Sequence, residues 1–159
     1  MGIVYEPIGV IHSPFKRLDE MPIQPVSAAS GAGIVEVFTQ FAEALRDLDG
    51  FSHVILLYHF HEARRCTLTV TPFLDAKPHG VFATRAPSRP NPIGLSVVKL
   101  RSIAHNELRV EQLDVLDGTP VLDIKPYVPD FDQRSGARIG WFEQAKAQFF
   151  GKLSDGRFA

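Results

Sequence analysis

Residues 83–96 read ATRAPSRPNPIGLS and set Arg85 and Arg89 among Pro87, Pro90 and Pro92. Each proline fixes φ and removes a backbone donor, so the segment is excluded from helices and inner strands and forms a stiff loop. Stiffness holds two guanidinium forks at a set separation, and each fork pairs bidentately with a carboxylate or a phosphate. The plainer alternative is a rigid strand connection or a surface proline segment. Residues 114–127, DVLDGTPVLDIKPY, form the second dense run. Asp117, Gly118, Thr119 and Pro120 spell a turn, since Asp and Gly accept its φ angles and Pro restarts an extended chain. Asp123, Lys125 and Tyr127 then alternate, so on a strand they share one face while Ile124 and Pro126 take the other. An acid, a base and a phenol on one face are a candidate set for proton transfer, with an exposed Asp123–Lys125 ion pair as the structural alternative. His53, His59 and His61 also share a strand face, a spacing that metal sites in β-barrels use. No further His or carboxylate stands where it completes the ligand set, so no metal is assigned. Cys66 reads as a small core residue.

These residues need strands to carry them. Loose alternation over 5–13 predicts a first strand, followed by a long loop over 14–33. Residues 34–39 (IVEVFT) predict a strand, and Phe41, Ala42, Leu45 and Leu48 recur at helical spacing before Gly50. Residues 51–60 (FSHVILLYHF) are almost continuously apolar, the pattern of a central strand buried on both faces. Further strands are predicted over 66–73, 80–84, 95–103, 107–115 and 120–124, with β-bulges at Val97-Val98 and Glu111-Gln112 where alternation breaks. Seven or eight short strands with too few helices for βαβ crossovers predict a mainly β protein, a small closed or partly open barrel. Trp141, Phe142, Ala145 and Phe149 at helical spacing, with Gly151 as C-cap, predict a terminal helix.

The length of 159 residues suits one domain, a barrel over about 5–130 with a tail over 131–159. No apolar run approaches the length of a membrane span and no signal peptide is evident, so a cytoplasmic protein is expected. Seventeen Lys and Arg against 18 Asp and Glu give a formal charge of −1, which by itself argues against gripping nucleic acid by bulk charge. The average conceals segregation: residues 76–106 carry +5 with no acid, and residues 107–132 carry −5. A basic loop beside an acidic strand region suits a site for a cationic ligand and an anionic polymer.

The proline-arginine loop, the Asp-Gly-Thr-Pro turn and the Asp-Ile-Lys-Pro-Tyr strand together resemble the TsaA or TrmO-like family. Matching blocks are residues 8–11, 13–16, Gln24-Pro25, 48–53, 80–94 and 117–127, and the 80–94 block is highly specific. The resemblance implies a dimeric β-barrel methyltransferase that uses S-adenosylmethionine to methylate N6 of threonylcarbamoyladenosine beside the anticodon of tRNA. It implies cofactor contacts from Gln24, Pro25, Val26, His61, Glu62, Arg85, Leu95, Asp117, Gly118, Thr119 and Pro120. Val26 and Glu62 depart from the family's usual Gly and Gln. Within this reading Asp123 is the candidate base, Lys125 and Tyr127 its catalytic partners, and Arg89 and Asn91 the candidate substrate contacts. The alternatives are a relative that methylates a small substrate, or a silent barrel that senses the cofactor or binds RNA.

Overall fold

The computed structural model describes residues 1–20 and 31–146. Gln24, Pro25, Val26, Phe149 and Gly151, and with them half of the expected long loop, lie outside the described residues. The strands are β1 (Gly9–His12), β2 (Gly31–Val37), β3 (His53–His59), β4 (Thr69–Val70), β5 (His79–Gly80), β6 (Ile93–Ala104), β7 (Glu107–Leu113) and β8 (Thr119–Pro126). Six of them close a barrel in the order β1-β2-β7-β6-β3-β8, with every neighbouring pair antiparallel, and β4 pairs with β5 in a separate small sheet. The mainly β barrel expected from strand spacing is therefore observed. Among the described residues no helix is long and apolar enough to cross a membrane.

Period-two alternation builds the core. Val54, Leu56 and Tyr58 of β3 point inward and meet Ile11, Val98 and Leu108 from the other walls, all at most 5% exposed. A barrel this narrow is filled by side chains and leaves no channel. The outer positions Ile55 and Leu57 are only half-buried, which corrects the expectation of burial on both faces of residues 51–60. Sheet closure packs the inner face, and among the described residues no second layer covers the outer one.

Three irregularities bend the sheet. Gly31 pairs with Leu113 and Gly33 with Val110, so three steps of β7 match two of β2, and Gln112 takes a left-handed φ of 61°. The bulge expected at Glu111-Gln112 is present. The one expected at Val97-Val98 is absent, because β3 and β6 pair without interruption there; the shift falls at Arg101 instead. A third bulge, at Leu122, separates the Leu57–Asp123 pair from the Tyr58–Val121 pair.

Elsewhere local chemistry shortened what periodicity predicted. The helix expected across Phe41 to Leu48 is two 3-10 turns, Thr39–Leu45 and Leu48–Gly50, separated at Asp47, whose φ is 68°. Leu45 and Leu48 still pack on the core and plug one barrel end. The strands expected over 66–73 and 80–84 contract to two residue pairs, since Pro72 and Pro78 interrupt the ladder and Val81–Ala83 turns as a 3-10 helix. A short helix not foreseen, α1 (Pro129–Asp132), follows β8. Residues 142–146 are helical as expected; Ala145 is buried and the Trp141 indole donates to the Ala83 carbonyl at 2.8 Å.

Gly9 makes the β1–β2 contact possible. A Cβ there would run into the Glu36 carbonyl oxygen and come within 3.0 Å of the Val37 Cα, both backbone atoms that cannot retreat without losing register. Gly9→Ala is expected to cost about 1–3 kcal/mol, seen as a lower urea midpoint at unchanged m-value. An unaltered midpoint would show that β1 yields freely.

Candidate functional site

One end of the barrel, away from the Leu45 plug, collects the C-terminal ends of β1, β3 and β7 and the start of β8. The turn of Leu116, Asp117, Gly118 and Thr119 crosses it, and its geometry is heavily determined. Gly118, at φ 80°, donates its N–H to Ile11 O at 2.8 Å, and Asp117 donates to Phe15 O at 2.8 Å. The Asp117 carboxylate accepts from the Ser13 N–H at 2.9 Å and from Lys16 Nζ at 2.8 Å. The Lys16 hydrogen bond is the main reason its carboxyl lies below the usual Asp range. Segments 13–16 and 116–119 are thus clamped into one rim.

His61 joins this rim from the end of β3. The Thr119 hydroxyl has one proton and gives it to Leu116 O at 2.7 Å, so the His61 Nδ1–H is the donor in its 3.3 Å contact with Thr119 Oγ1. His61 Nε2 then faces Glu62 Oε1 at 3.9 Å. Beside them opens a pocket of about 440 Å³ lined by Lys16, Arg17, Leu18, Asp19, Glu62 and Leu116. Two cations and two carboxylates around one cavity fit a zwitterionic, amino-acid-like ligand. His61, Glu62, Asp117, Gly118, Thr119 and Pro120, all anticipated as cofactor contacts, come together here. Lys16, Arg17 and Leu116 were not anticipated; the signal was the Ser-Pro-Phe-Lys block, which carried a resemblance and no assigned role.

Beneath the same end runs a buried polar chain that sequence reading missed. Tyr58 and Ser96 occupy inward positions of β3 and β6, where alternation predicts only core. Ser96 Oγ donates to Asp114 Oδ1 at 2.7 Å, so its remaining contact, 2.9 Å from Tyr58 Oη, is a bond donated by the phenol. Burial, reinforced by the Asp114 charge, pushes the Tyr58 phenol up to about 12. Burial also raises the Asp114 carboxyl, against the Ser96 hydrogen bond and the Arg85 guanidinium, which pull it down. Gly94 leaves the room this needs, since a Cβ there would overlap the Tyr58 ring.

The other anticipated residues lie apart. Arg85 is exposed and feels both Tyr58 and Asp114 electrostatically. Arg89 is turned onto its own loop, donating to Thr84 O at 2.9 Å and Ala86 O at 3.2 Å, while Asn91 O accepts from Ile93 N–H at 2.7 Å. Leu95 pairs with Leu57 on the outer face and is 46% exposed. Asp123 and Lys125 form a 2.9 Å ion pair on the outer face of β8, and Tyr127 packs its ring edge-on to His53 at 6.2 Å. Asp123 stands four residues from Thr119, and with Leu122 bulged out this is three strand steps, about 10 Å. It lines a different pocket, of about 290 Å³, at the plugged end. Within one chain the proton-transfer set and the rim do not meet. His53 bonds to the Ser52 hydroxyl, and among the described residues no group of three or more His, Cys, Asp or Glu is placed to hold a metal ion.

Residues 10–133 match the family model of the tRNA-methyltransferase O N-terminal domain. A probable S-adenosyl-L-methionine-binding protein of Pyrococcus abyssi is 54% identical over 156 residues, 98% of this chain and 85% of that relative. The tRNA (adenine(37)-N6)-methyltransferase of Escherichia coli is 39% identical over 153 residues, and the match spans 90% of this chain but 65% of that enzyme. The crystal structure of TrmO from Pseudomonas aeruginosa superimposes with a TM-score of 0.72 at 43% identity, over 89% of this chain and 63% of that one.

The buried chain gives a spectroscopic prediction. Asp114→Asn keeps an acceptor for Ser96 and removes the negative charge, so the Tyr58 phenol should titrate at lower pH, read by ultraviolet absorbance in alkali. The sign for stability follows from the raised Asp114 carboxyl: the folded state holds that proton more tightly, so wild-type stability falls as pH rises from the ordinary Asp range through the folded value. Asp114→Asn lacks that loss, and its advantage in urea unfolding should grow across the same window. An unmoved Tyr58 titration would separate the two groups.

Proposed function

This chain belongs to the tRNA-methyltransferase O N-terminal domain family, and from that premise we propose that it is an S-adenosylmethionine-dependent methyltransferase acting on adenine N6 of tRNA. The finer reading is that the adenine beside the anticodon carries a threonylcarbamoyl group, whose carboxylate adds an anionic handle. The observation that carries the proposal is the convergence of His61, Glu62, Asp117, Thr119 and Lys16 on one rim, in a chain whose relatives are named for this cofactor and this reaction.

The donor set fits the cofactor's charges. Glu62 and Asp19 line the pocket where a sulfonium or ammonium would sit, and Lys16 and Arg17 where a carboxylate would. When bound, S-adenosylmethionine supplies an electrophilic methyl group on sulfur. The turn at Gly118 and the His61–Thr119 bond hold the rim in place without reorganisation, the condition for preorganised electrostatic catalysis. The target nitrogen is urea-like, its lone pair delocalised into the carbonyl, so removing its proton assists attack. Asp123 is the base in this reading, with Lys125 and Tyr127 orienting the substrate. Their position on the outer face of β8 supports a homodimer in which this face of one copy meets the rim of the other. Arg85, Arg89 and Asn91 lie on the loop before β6 and Leu95 on β6 itself, across β3 from that face.

Two measurements test this. S-adenosylmethionine or its demethylated product should raise the melting temperature, because a ligand bound only by the folded state at 100 times its Kd adds about 2.7 kcal/mol. Methyl transfer should occur to tRNA bearing the threonylcarbamoyl group and fail on tRNA without it; transfer to small acceptors alone would displace tRNA as substrate. Asp123→Asn should lower kcat by about a hundredfold or more with cofactor stabilisation unchanged. Near wild-type turnover would remove Asp123 from the chemistry.

A further inference from the structure

Residues 63–92 leave the barrel between β3 and β6 and carry Arg64, Arg65, Lys77, Arg85 and Arg89 against one acid, Asp75, a formal charge of +4. That acid is engaged locally, bonded to His79 Nε2 at 2.6 Å and to the N–H groups of Ala76 and Lys77. Arg64, Arg65, Lys77 and Arg85 are exposed. On the same excursion Phe73 is 92% exposed and Phe82 78%, with Leu68 beside them at 73%. Aromatic rings this bare, on the same excursion as four exposed cations, mark an interaction surface.

The excursion is not a loose loop. β4 and β5 pair within it, Val81 N–H donates to Leu68 O at 2.9 Å and Thr67 N–H to Ser88 O at 3.1 Å. His79 stacks on Trp141 with ring centroids 4.7 Å apart, and the indole fixes Ala83. The surface is presented rigidly, which lowers the entropy lost on docking.

Charge decides the occupant. A second copy that set this excursion against its own counterpart on a two-fold axis would bring +4 against +4. A nucleic-acid strand brings phosphates to the cations, and only unpaired bases offer free faces to the phenyl rings. We propose that this excursion is a docking platform for unpaired RNA nucleotides, with bases stacking on Phe73 and Phe82 and phosphates pairing with Arg64, Arg65 and Lys77. The choice of RNA rests on the methyltransferase reading above; the stacking and charge geometry does not.

The test is binding of a labelled RNA hairpin with an unpaired loop, and of a blunt RNA duplex of equal length, by fluorescence anisotropy over a salt series without cofactor. The hairpin should bind more tightly than the duplex. Phe73→Leu with Phe82→Leu keeps apolar bulk and removes the π-faces; hairpin affinity should fall about tenfold or more at unchanged salt dependence. Arg64→Gln with Arg65→Gln should flatten the logarithmic salt slope by about 1.4. The proposal is overturned if either pair leaves hairpin binding unaltered, if the duplex binds as well as the hairpin, or if the Phe pair shifts the oligomeric state in sedimentation. Melting-temperature shifts with S-adenosylmethionine on the same proteins keep the two readings apart: hairpin binding without cofactor stabilisation would fault the methyltransferase reading alone.

Discussion

Closure of the sheet by β1 is the constraint on which the rest depends. That strand of four residues bonds to β2 on one side and β8 on the other, and it has room to do so only where Gly9 has no side chain. Once closed, the barrel has an inside of fixed volume, which β-branched and leucine side chains fill. It also has two ends. At one, Leu45 and Leu48 serve as a plug. At the other, the hydrogen bond from Gly118 to Ile11 ties the β7–β8 turn to the chain leaving β1, so the rim that holds the charged pocket is a direct product of closure. Without β1 in place neither the turn nor the Asp117 clamp on Ser13 and Lys16 has anything to hold.

The legible parts of the sequence were those written in period two and in turn chemistry. Apolar patterning located all six barrel walls, β3 by a nearly continuous apolar run whose two-sided burial did not hold, and Asp117-Gly118 announced the turn that organises the rim. The Glu111-Gln112 irregularity was visible because it breaks alternation in an otherwise regular run. Less legible were features set by tertiary context. Ser96 and Tyr58 look like ordinary strand residues until β7 ends with Asp114 beside them, so their hydrogen-bond chain is a property of three strands together. The 3-10 turns at Thr39–Leu45 and Leu48–Gly50 have the same apolar spacing as a helix. They fail to become one where Asp47 takes a left-handed backbone, which the residue types do not announce. Asp123, Lys125 and Tyr127 do share a face, as their spacing requires, but spacing alone could not say that the face looks away from the rim.

A nearly neutral chain can still present strongly charged surfaces. Residues 63–92, which leave the barrel, carry five cations against one acid, whereas β7, β8 and the turn between them carry five acids against Arg109 and Lys125, with Asp114 and Asp117 held by hydrogen bonds. Spatial segregation lets the rim present paired opposite charges to a small zwitterion while the excursion beyond it presents one sign. Net charge, which sums over both, says little about either.

The Leu122 bulge has a consequence for how β8 can change over time. On its rim side Thr119 and Val121 face inward; past the extra residue, Ile124 takes the inward place and Asp123 and Lys125 turn out. The strand is thus two half-strands of opposite phase joined at one residue. Point substitutions within either half stay on their own side of the wall. Deleting Leu122 would join the halves into one regular strand with Asp123 still outward and Ile124 still inward, whereas straightening the strand with Leu122 in place would carry a carboxylate into the apolar interior and an isoleucine onto the surface. Such a strand can drift in composition and can shed its extra residue, but it cannot straighten around it.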